Sequence, residues 1–334
     1  MRELGLAVFH GLNADNWGPR LQDILHAGLL TLTAQRDLTL CHLPLLYTNQ
    51  GFRRRLVGAV QQDIALGPFW AWFNALSDAE RATVLAPVMN KLRAFLLRPR
   101  VRAVLGQPTP RFHLRQVFTE RKVLLVNLAK GLLGPEAASL LGSLVLSQLW
   151  QTTLGRAAIA PDRRHPVFVY VDEWQDYLRL PTDLAEVLAQ SRSLGVGLTL
   201  AHQHLAQLDA NMRAAVLANA RSRVVYQTAH DDAALLVRGH AELAAEDIAD
   251  LGPYEAYVQL VAGGAVSPFA SARTLPPSPT CSDGVVLREQ SRARYGVDRQ
   301  VIETQLAALI NGGGFEPSGP VGSRPRTSVQ ESQP

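Results

Sequence analysis

Lysine and cysteine are scarce in this sequence of 334 residues, and each scarcity narrows the classes of protein it can belong to. Of the 33 basic side chains only Lys91, Lys122 and Lys130 are lysine, so nearly all positive charge is guanidinium. The two cysteines, Cys41 and Cys281, are too few for a disulfide framework and have no zinc-ligand spacing. This cysteine usage suits a reducing cytoplasm.

Long apolar runs are also missing. The longest covers 137–150, is interrupted by Ser143 and Ser147, and is shorter than the roughly 20 residues that a membrane helix needs. Glu3 and His10 occupy the region where a signal peptide would carry its apolar core. The sequence therefore predicts no membrane insertion by the chain itself. The expected location is the cytoplasm, at the inner face of the plasma membrane if partners hold the chain there.

The third missing feature is a phosphate-binding loop of the form GxxxxGK[ST]. The backbone N–H groups of such a loop cradle phosphate, and its lysine reaches the β and γ oxygens. None of the three lysines follows a glycine, because Asn90, Arg121 and Ala129 precede them. A self-contained nucleotide site of this type is thus excluded.

The composition of the chain is apolar, and its net charge of +4 is modestly basic. Hydrophobic residues make up 47% and charged residues 19%, enough for one large domain or two smaller ones. Residues 15–120 predict an all-helical domain, with Trp17, Trp70 and Trp72 in its core. Residues 1–14, before this domain, are predicted to be a short N-terminal remnant outside both domains.

Residues 121–275 alternate between apolar strands and helices. Strands are predicted at 121–128, 167–171, 196–203, 222–227 and 255–265. Because the strands are apolar and separated by helices of about 10–20 residues, they indicate an α/β domain with a mostly parallel sheet covered on both faces. Residues 276–334 predict a linker, short helices and a disordered tail.

The stretch HPVFVYVDEWQDY carries the main candidate site. Five apolar residues, 167–171, run directly into Asp172 and Glu173. A buried parallel strand ends at the edge of its sheet, where open α/β folds bind ligands. One carboxylate there can hold Mg²⁺ and the next can polarise a water molecule. The alternative is a strand end capped by solvated acids.

Two further residues follow in an order that strengthens this interpretation. Gln203 ends the next predicted strand and is expected near Asp172, because consecutive strands are often neighbours. Its amide could orient water or sense a γ-phosphate. Arg192 ends the intervening helix and could reach a phosphate across a subunit interface. Alternatively, Arg192 is a helix-end cation and Gln203 a loop residue.

Together these segments resemble a known family. VYVDEWQDYL, LAQSRSLGVGLTLAHQHLAQL and VLANARSRVVYQ resemble the motor domain of conjugative, type IV secretion coupling proteins of the TraG/TraD group. The upstream segments NWGPRLQDILHAGLLTL, APVMNKLRAFLLRPRVRAVLGQ and KVLLVNLAKGLLG are similar to the helical insertion and following strand of that group. These proteins belong to the HerA/FtsK superfamily of RecA-like P-loop ATPases.

The resemblance covers about residues 10–275 and implies a function. Residues 121–275 would be the C-terminal half of a RecA-like motor domain, including the TraM-recognition region, and would use ATP and Mg²⁺. Asp172 and Glu173 would be the Walker B pair, Gln203 the third motif and Arg192 an arginine offered to a neighbour's nucleotide. Single-stranded DNA and a relaxase are the implied partners, with a homo-hexamer as the implied assembly.

Because the phosphate-binding loop is missing, the resemblance predicts an N-terminally truncated ATPase that is not hydrolytic alone. The alternatives are a half-site completed by another polypeptide, a non-catalytic DNA- or protein-binding adaptor, and a non-functional gene fragment. Arg98, Arg100 and Arg102 form a basic run that could contact DNA phosphates, or could be a solvated helix face. His202 and His204 lack the companions of a metal site.

Overall fold

The computed structural model describes residues 18–35, 38–107, 109–177 and 184–311. The predicted remnant 1–14, Trp17 and the predicted tail 312–334 lie outside these residues. The described chain divides into a helical unit, residues 18–109 with 297–311, and an α/β unit, residues 110–296. Within the described ranges, no helix is long and apolar enough to cross a membrane.

Besides a short 3₁₀ helix at Leu40–His42, the helical unit contains seven α-helices within its described residues. They are α1 (Pro19–Thr33), α2 (Leu43–Thr48), α3 (Gln50–Gly58), α4 (Leu66–Ala75), α5 (Asp78–Leu96), α6 (Pro99–Leu105) and α15 (Arg299–Asn311). Proline opens α1 and α6, where the missing N–H costs nothing. Trp70 is buried as predicted and its indole N–H donates to Thr31 Oγ1 at 2.8 Å, whereas Trp72 stays 38% exposed.

The α/β unit holds the remaining elements. Its helices are α7 (Arg115–Thr119), α8 (Lys130–Leu133), α9 (Pro135–Leu154), α10 (Leu184–Ser191), α11 (Ala210–Asn219), α12 (His230–Leu236), α13 (Ala245–Ala249) and α14 (Gly284–Tyr295). Its strands are β1 (Val167–Asp172), β2 (Val196–Ala201), β3 (Arg223–Val225), β4 (Glu255–Gln259), β5 (Val261–Ala262), β6 (Ala265–Val266) and β7 (Ala270–Arg273).

Strands β1 and β2 pair with each other in parallel, in register from Val167↔Val196 to Asp172↔Ala201. Alternate β1 residues are half-buried against the helices, while Phe168 and Tyr170 on the opposite face are 67% and 75% exposed. The expectation of a sheet covered on both faces is therefore wrong for the described residues. Gly195 takes φ +72° in the turn before β2, a conformation that favours glycine.

The other strands depart from the predicted parallel order. β3, β4 and β7 form an antiparallel sheet, and β5 pairs with β6 in a hairpin. Gly263 and Gly264 both have positive φ, which a two-residue turn of this hairpin requires. In this sheet β4 is mostly buried or half-buried, whereas all four residues of β7 are exposed.

The predicted strand at 121–128 is not formed. The segment has no secondary structure, and Val123 and Leu125 are 88% and 89% exposed. In the described part of the chain, no backbone hydrogen bond joins it to β1. A strand needs a hydrogen-bonded neighbour, which local sequence does not reveal.

Candidate nucleotide site

Asp172 and Glu173 lie at the carboxyl end of β1, beside the end of β2. Parallel pairing in register brings both strand ends to one edge of the sheet. Asp172 is exposed, and its Oδ1 accepts the backbone N–H of Glu173 at 3.1 Å. Glu173 has φ +49° and ψ +45°, the left-handed region that non-glycine residues rarely adopt. The chain thus turns sharply where the strand ends.

This turn brings Glu173 into contact with Gln203. The amide Nε2 of Gln203 donates to Glu173 Oε1 at 2.5 Å, and Gln175 Nε2 donates to Oε2 at 2.7 Å. The hydrogen bond from Gln175, together with that from Gln203 and the nearby charge of Lys130, holds the pKa of Glu173 below its usual range. Glu173 is therefore a carboxylate at neutral pH.

Helix α9 anchors the loop that follows Glu173. The hydroxyl of Ser139 donates to the backbone oxygen of Asp176 at 2.5 Å, and that of Ser143 donates to the backbone oxygen of Tyr177 at 2.8 Å. Gly142 makes this approach possible, because a Cβ there would lie 2.6 Å from the Tyr177 ring. Helix α9 therefore holds the backbone of residues 176 and 177, which follow Asp172 and Glu173.

The turn that carries Gln203 has its own supports. The buried carboxylate of Asp232 accepts the backbone N–H of Leu205 at 2.8 Å. Trp174 is fully buried, and its indole N–H donates to Nδ1 of His202 at 3.3 Å. Burial lowers the pKa of His202, which favours the neutral imidazole that accepts this bond. These contacts hold the ends of β1 and β2 together.

Lys130 is a site residue that sequence reasoning missed. Its ammonium forms an ion pair with Asp176, and this hydrogen bond raises the pKa of Lys130. Its charge also acts on Glu173. Lys130 does not match the phosphate-binding motif, because Ala129 precedes it. Its position directly after an apolar run, like that of Asp172, was the available signal.

Arg192 is not brought to the acidic pair. It is exposed in the turn between α10 and β2, where its backbone oxygen accepts the N–H of Gly195 at 3.0 Å. β2 begins at this end of the sheet and reaches Gln203 at the other. The six residues of β2 lie between Arg192 and Gln203 and span roughly 20 Å.

The basic run lies in the helical unit, at the start of α6. Arg98 precedes the helix, and Arg100 is exposed. Arg102 is engaged within the unit, since its guanidinium lies 3.0 Å from Glu303 and donates to the backbone oxygen of Leu96 at 2.7 Å. The structure therefore gives Arg102 a packing role, which weakens its assignment as a DNA contact.

The acidic pair suits a magnesium ion in its chemistry. Mg²⁺ prefers oxygen ligands and is often held by one or two carboxylates, with substrate phosphates and water completing the shell. Asp172 offers an exposed carboxylate for this purpose. Among the described residues, no group of three or more His, Cys, Asp or Glu side chains could hold a metal without such help.

The fold resembles that of solved conjugative coupling proteins. The solved structures that it resembles include the bacterial coupling protein TrwBΔN70 in an unbound form, with a TM-score of 0.53 and 16% identity over 82% of this chain and 69% of that one. A second form, with sulphate, also gives 0.53, at 16% identity over 82% and 68%.

TrwB in complex with ADP and Mg²⁺ gives a TM-score of 0.51 at 16% identity, again over 82% of this chain and 68% of that one. No protein-family model matches the sequence, and no curated protein matches it. The prediction of a coupling-protein-like α/β fold is therefore confirmed by structure, at a level of identity where sequence alone shows little.

Proposed function

We propose that this chain supplies the magnesium- and water-handling part of an ATP site in a coupling-protein-like motor that moves DNA. The contact between the Glu173 carboxylate and the Gln203 amide carries the proposal. It joins the ends of two neighbouring parallel strands, where open α/β sheets bind ligands. The likeness to TrwB, which has been solved with ADP and Mg²⁺, supports nucleotide binding by this fold.

Each residue has a distinct role in this proposal. Asp172 holds Mg²⁺, directly or through water, and the ion would neutralise charge on the phosphates. Glu173 polarises the attacking water, a task that suits a carboxylate whose lowered pKa keeps it ionised. Gln203 contacts Glu173 and so couples the state of the γ-phosphate to the β2 turn.

The phosphate-binding loop has to come from polypeptide outside this sequence, because no GxxxxGK[ST] is present. We therefore expect negligible ATP hydrolysis by the purified chain. Addition of a polypeptide that carries the loop is expected to produce turnover.

The experiment measures phosphate release from ATP and Mg²⁺ with the chain alone and with that polypeptide. Glu173→Gln should lower the turnover of the mixture by about 10²–10⁴-fold, the usual contribution of a general base. Glu186→Gln is the matched control, since Glu186 lies on α10 of the same unit and is exposed. Turnover that Glu173→Gln leaves unchanged would refute the proposal.

Arg192 is assigned to a neighbouring subunit's nucleotide in a homo-hexamer. Its exposure and its distance from Asp172 within one chain support a role in trans rather than in cis. In a hydrolysing assembly, Arg192→Ala and Glu173→Gln should each be inactive alone. A mixture of the two should recover part of the activity, because some interfaces then contain both native residues; no recovery would place Arg192 in cis or outside the mechanism.

Single-stranded DNA and a relaxase are the proposed cargo, and Arg98 and Arg100 are the proposed DNA contacts. Affinity for single-stranded DNA should fall linearly with the logarithm of salt concentration, with a slope of about −0.7 per neutralised phosphate. Arg100→Gln should reduce that slope in the full chain. Binding without a salt dependence would favour the alternative of a protein-binding adaptor.

A further inference from the structure

Lys130 lies at the edge of the α/β unit that carries the proposed nucleotide site. The segment 121–129, which precedes it, runs in the same direction as β1. Near the start of the segment, the guanidinium of Arg121 lies 3.0 Å from His165, just before β1. Directly after its end, Lys130 pairs with Asp176, just after β1. Because both ends match, the end of this segment meets the carboxyl end of β1.

The backbone of Lys130 is held in a tight turn, while its side chain is accessible. The N–H of Leu133 donates to the backbone oxygen of Ala129 at 3.0 Å. The N–H of Gly134 donates to the backbone oxygen of Lys130 at 2.7 Å. The side chain of Lys130 is 44% exposed, and its ammonium has three donors on a flexible four-carbon stem. The ion pair uses one donor, and the other two can bind a further acceptor.

The charges at this edge explain why a cation is required there. Asp172, Glu173 and Asp176 are close enough for all three to act on the same neighbouring phenol. A triphosphate would add several negative charges, and like charges repel at close range. Mg²⁺ offsets only part of this charge. His202 is neutral because burial lowers its pKa, whereas Lys130 carries a positive charge that acts on Glu173.

We propose that Lys130 is a phosphate-binding residue of this site, and that Asp176 holds its ammonium at the edge of the sheet until a polyphosphate is bound. The inference rests on the proposed function and names the side chain of this chain that meets the phosphates of the ligand. A hydrogen bond from an ammonium to a phosphate oxygen is charge-assisted and therefore about twice as strong as a neutral one. The rival explanation is an ion pair that only ties the loop after Glu173 to the segment before it.

The scarcity of lysine makes this contact directly observable. The full chain has three lysines, so labelling with ¹³C-lysine gives three ε-methylene signals by NMR, and Lys130→Arg identifies its own. Tripolyphosphate with Mg²⁺, added at constant ionic strength, should shift the signal of Lys130 in a saturable way. Lys122 is the matched control, because its ammonium also pairs with a carboxylate, that of Glu120 at 2.8 Å. Equal shifts of the two signals, or none at Lys130, would overturn the proposal.

Breaking the ion pair from either side separates the two explanations. Lys130→Met should weaken the binding of tripolyphosphate, measured by calorimetry, about two- to fivefold, the range of an exposed ion pair. Lys130→Arg keeps the charge and should retain most of the affinity. Asp176→Asn should strengthen binding, because it releases the ammonium and removes a negative charge. If the pair only ties the loop, Lys130→Met and Asp176→Asn should weaken binding alike, and that result would refute the phosphate contact.

These measurements need neither hydrolysis nor the polypeptide that carries the phosphate-binding loop. Turnover that depends on Glu173, together with a Lys130 signal that tripolyphosphate leaves in place, would refute the role of Lys130 and keep the proposed function. Binding that depends on Lys130, without turnover that depends on Glu173, would keep the phosphate contact and refute the general base.

Discussion

The left-handed conformation of Glu173 predicts an unusual order of stability for two variants. Glu173→Ala and Glu173→Gly both remove the carboxylate and its hydrogen bonds to Gln203 and Gln175. They differ only in a Cβ, which the φ of +49° disfavours. The left-handed region costs an L-residue about 1–2 kcal/mol, whereas the freedom of glycine in the unfolded chain costs about 0.4–1 kcal/mol.

The glycine variant should therefore be the more stable by about 1 kcal/mol. For a unit of this size, that corresponds to a difference of about 2–4 °C in the midpoint of thermal unfolding, measured by circular dichroism and tryptophan fluorescence. Ala214→Gly on helix α11 is the control, because an exposed helical position should lose about 0.5–1 kcal/mol on the same change.

Equal midpoints for the two Glu173 variants, or a more stable alanine variant, would show that the turn relaxes when the carboxylate is lost. The strain would then be a consequence of the hydrogen bonds of Glu173, not a property of the backbone at the end of β1. The expected order instead implies that the fold keeps a strained residue for its carboxylate.

Two further predictions concern the supports of the Gln203 turn. Asp232→Ala should lower the free energy of unfolding by about 2 kcal/mol, because it leaves the Leu205 N–H without its acceptor, and Asp232→Asn should cost clearly less; urea titration that finds the two equal would contradict this role. Burial lowers the pKa of His202, so the unfolded chain takes up a proton below about pH 6.5 while the folded chain does not, and stability should fall as the pH drops through that value. His202→Asn keeps an acceptor for Trp174 and should make this fall shallower between pH 7.5 and 5.5; an identical fall would assign the pH dependence to other groups.

The sequence predicted the part of the site that follows from strand direction. Asp172 and Gln203 end neighbouring apolar runs, and parallel strands carry their ends to one edge, so their meeting required only that the two strands pair. The contact itself runs through Glu173. Helices α9 and α10 were equally predictable, since both have apolar spacing and flanking glycine or proline.

The remaining features depend on contacts between distant segments. The run 121–128 has the composition of a strand, yet composition does not supply a hydrogen-bonded neighbour. Lys130 reaches Asp176 across 46 positions of sequence, and Trp174 meets His202 across 28. The sequence predicted β3 and β4 as members of one parallel sheet, because they are apolar like β1 and β2. Their pairing in the structure is antiparallel.

The contacts between helix α9 and the loop after Glu173 determine which substitutions this loop tolerates. The hydroxyls of Ser139 and Ser143 bind backbone oxygens, which every amino acid provides. The anchoring of the loop therefore does not depend on which side chains stand at 176 and 177, although Asp176 pairs with Lys130 and the buried Tyr177 ring packs against Gly142. Loss of either serine hydroxyl should loosen the loop even when every residue of the loop is kept.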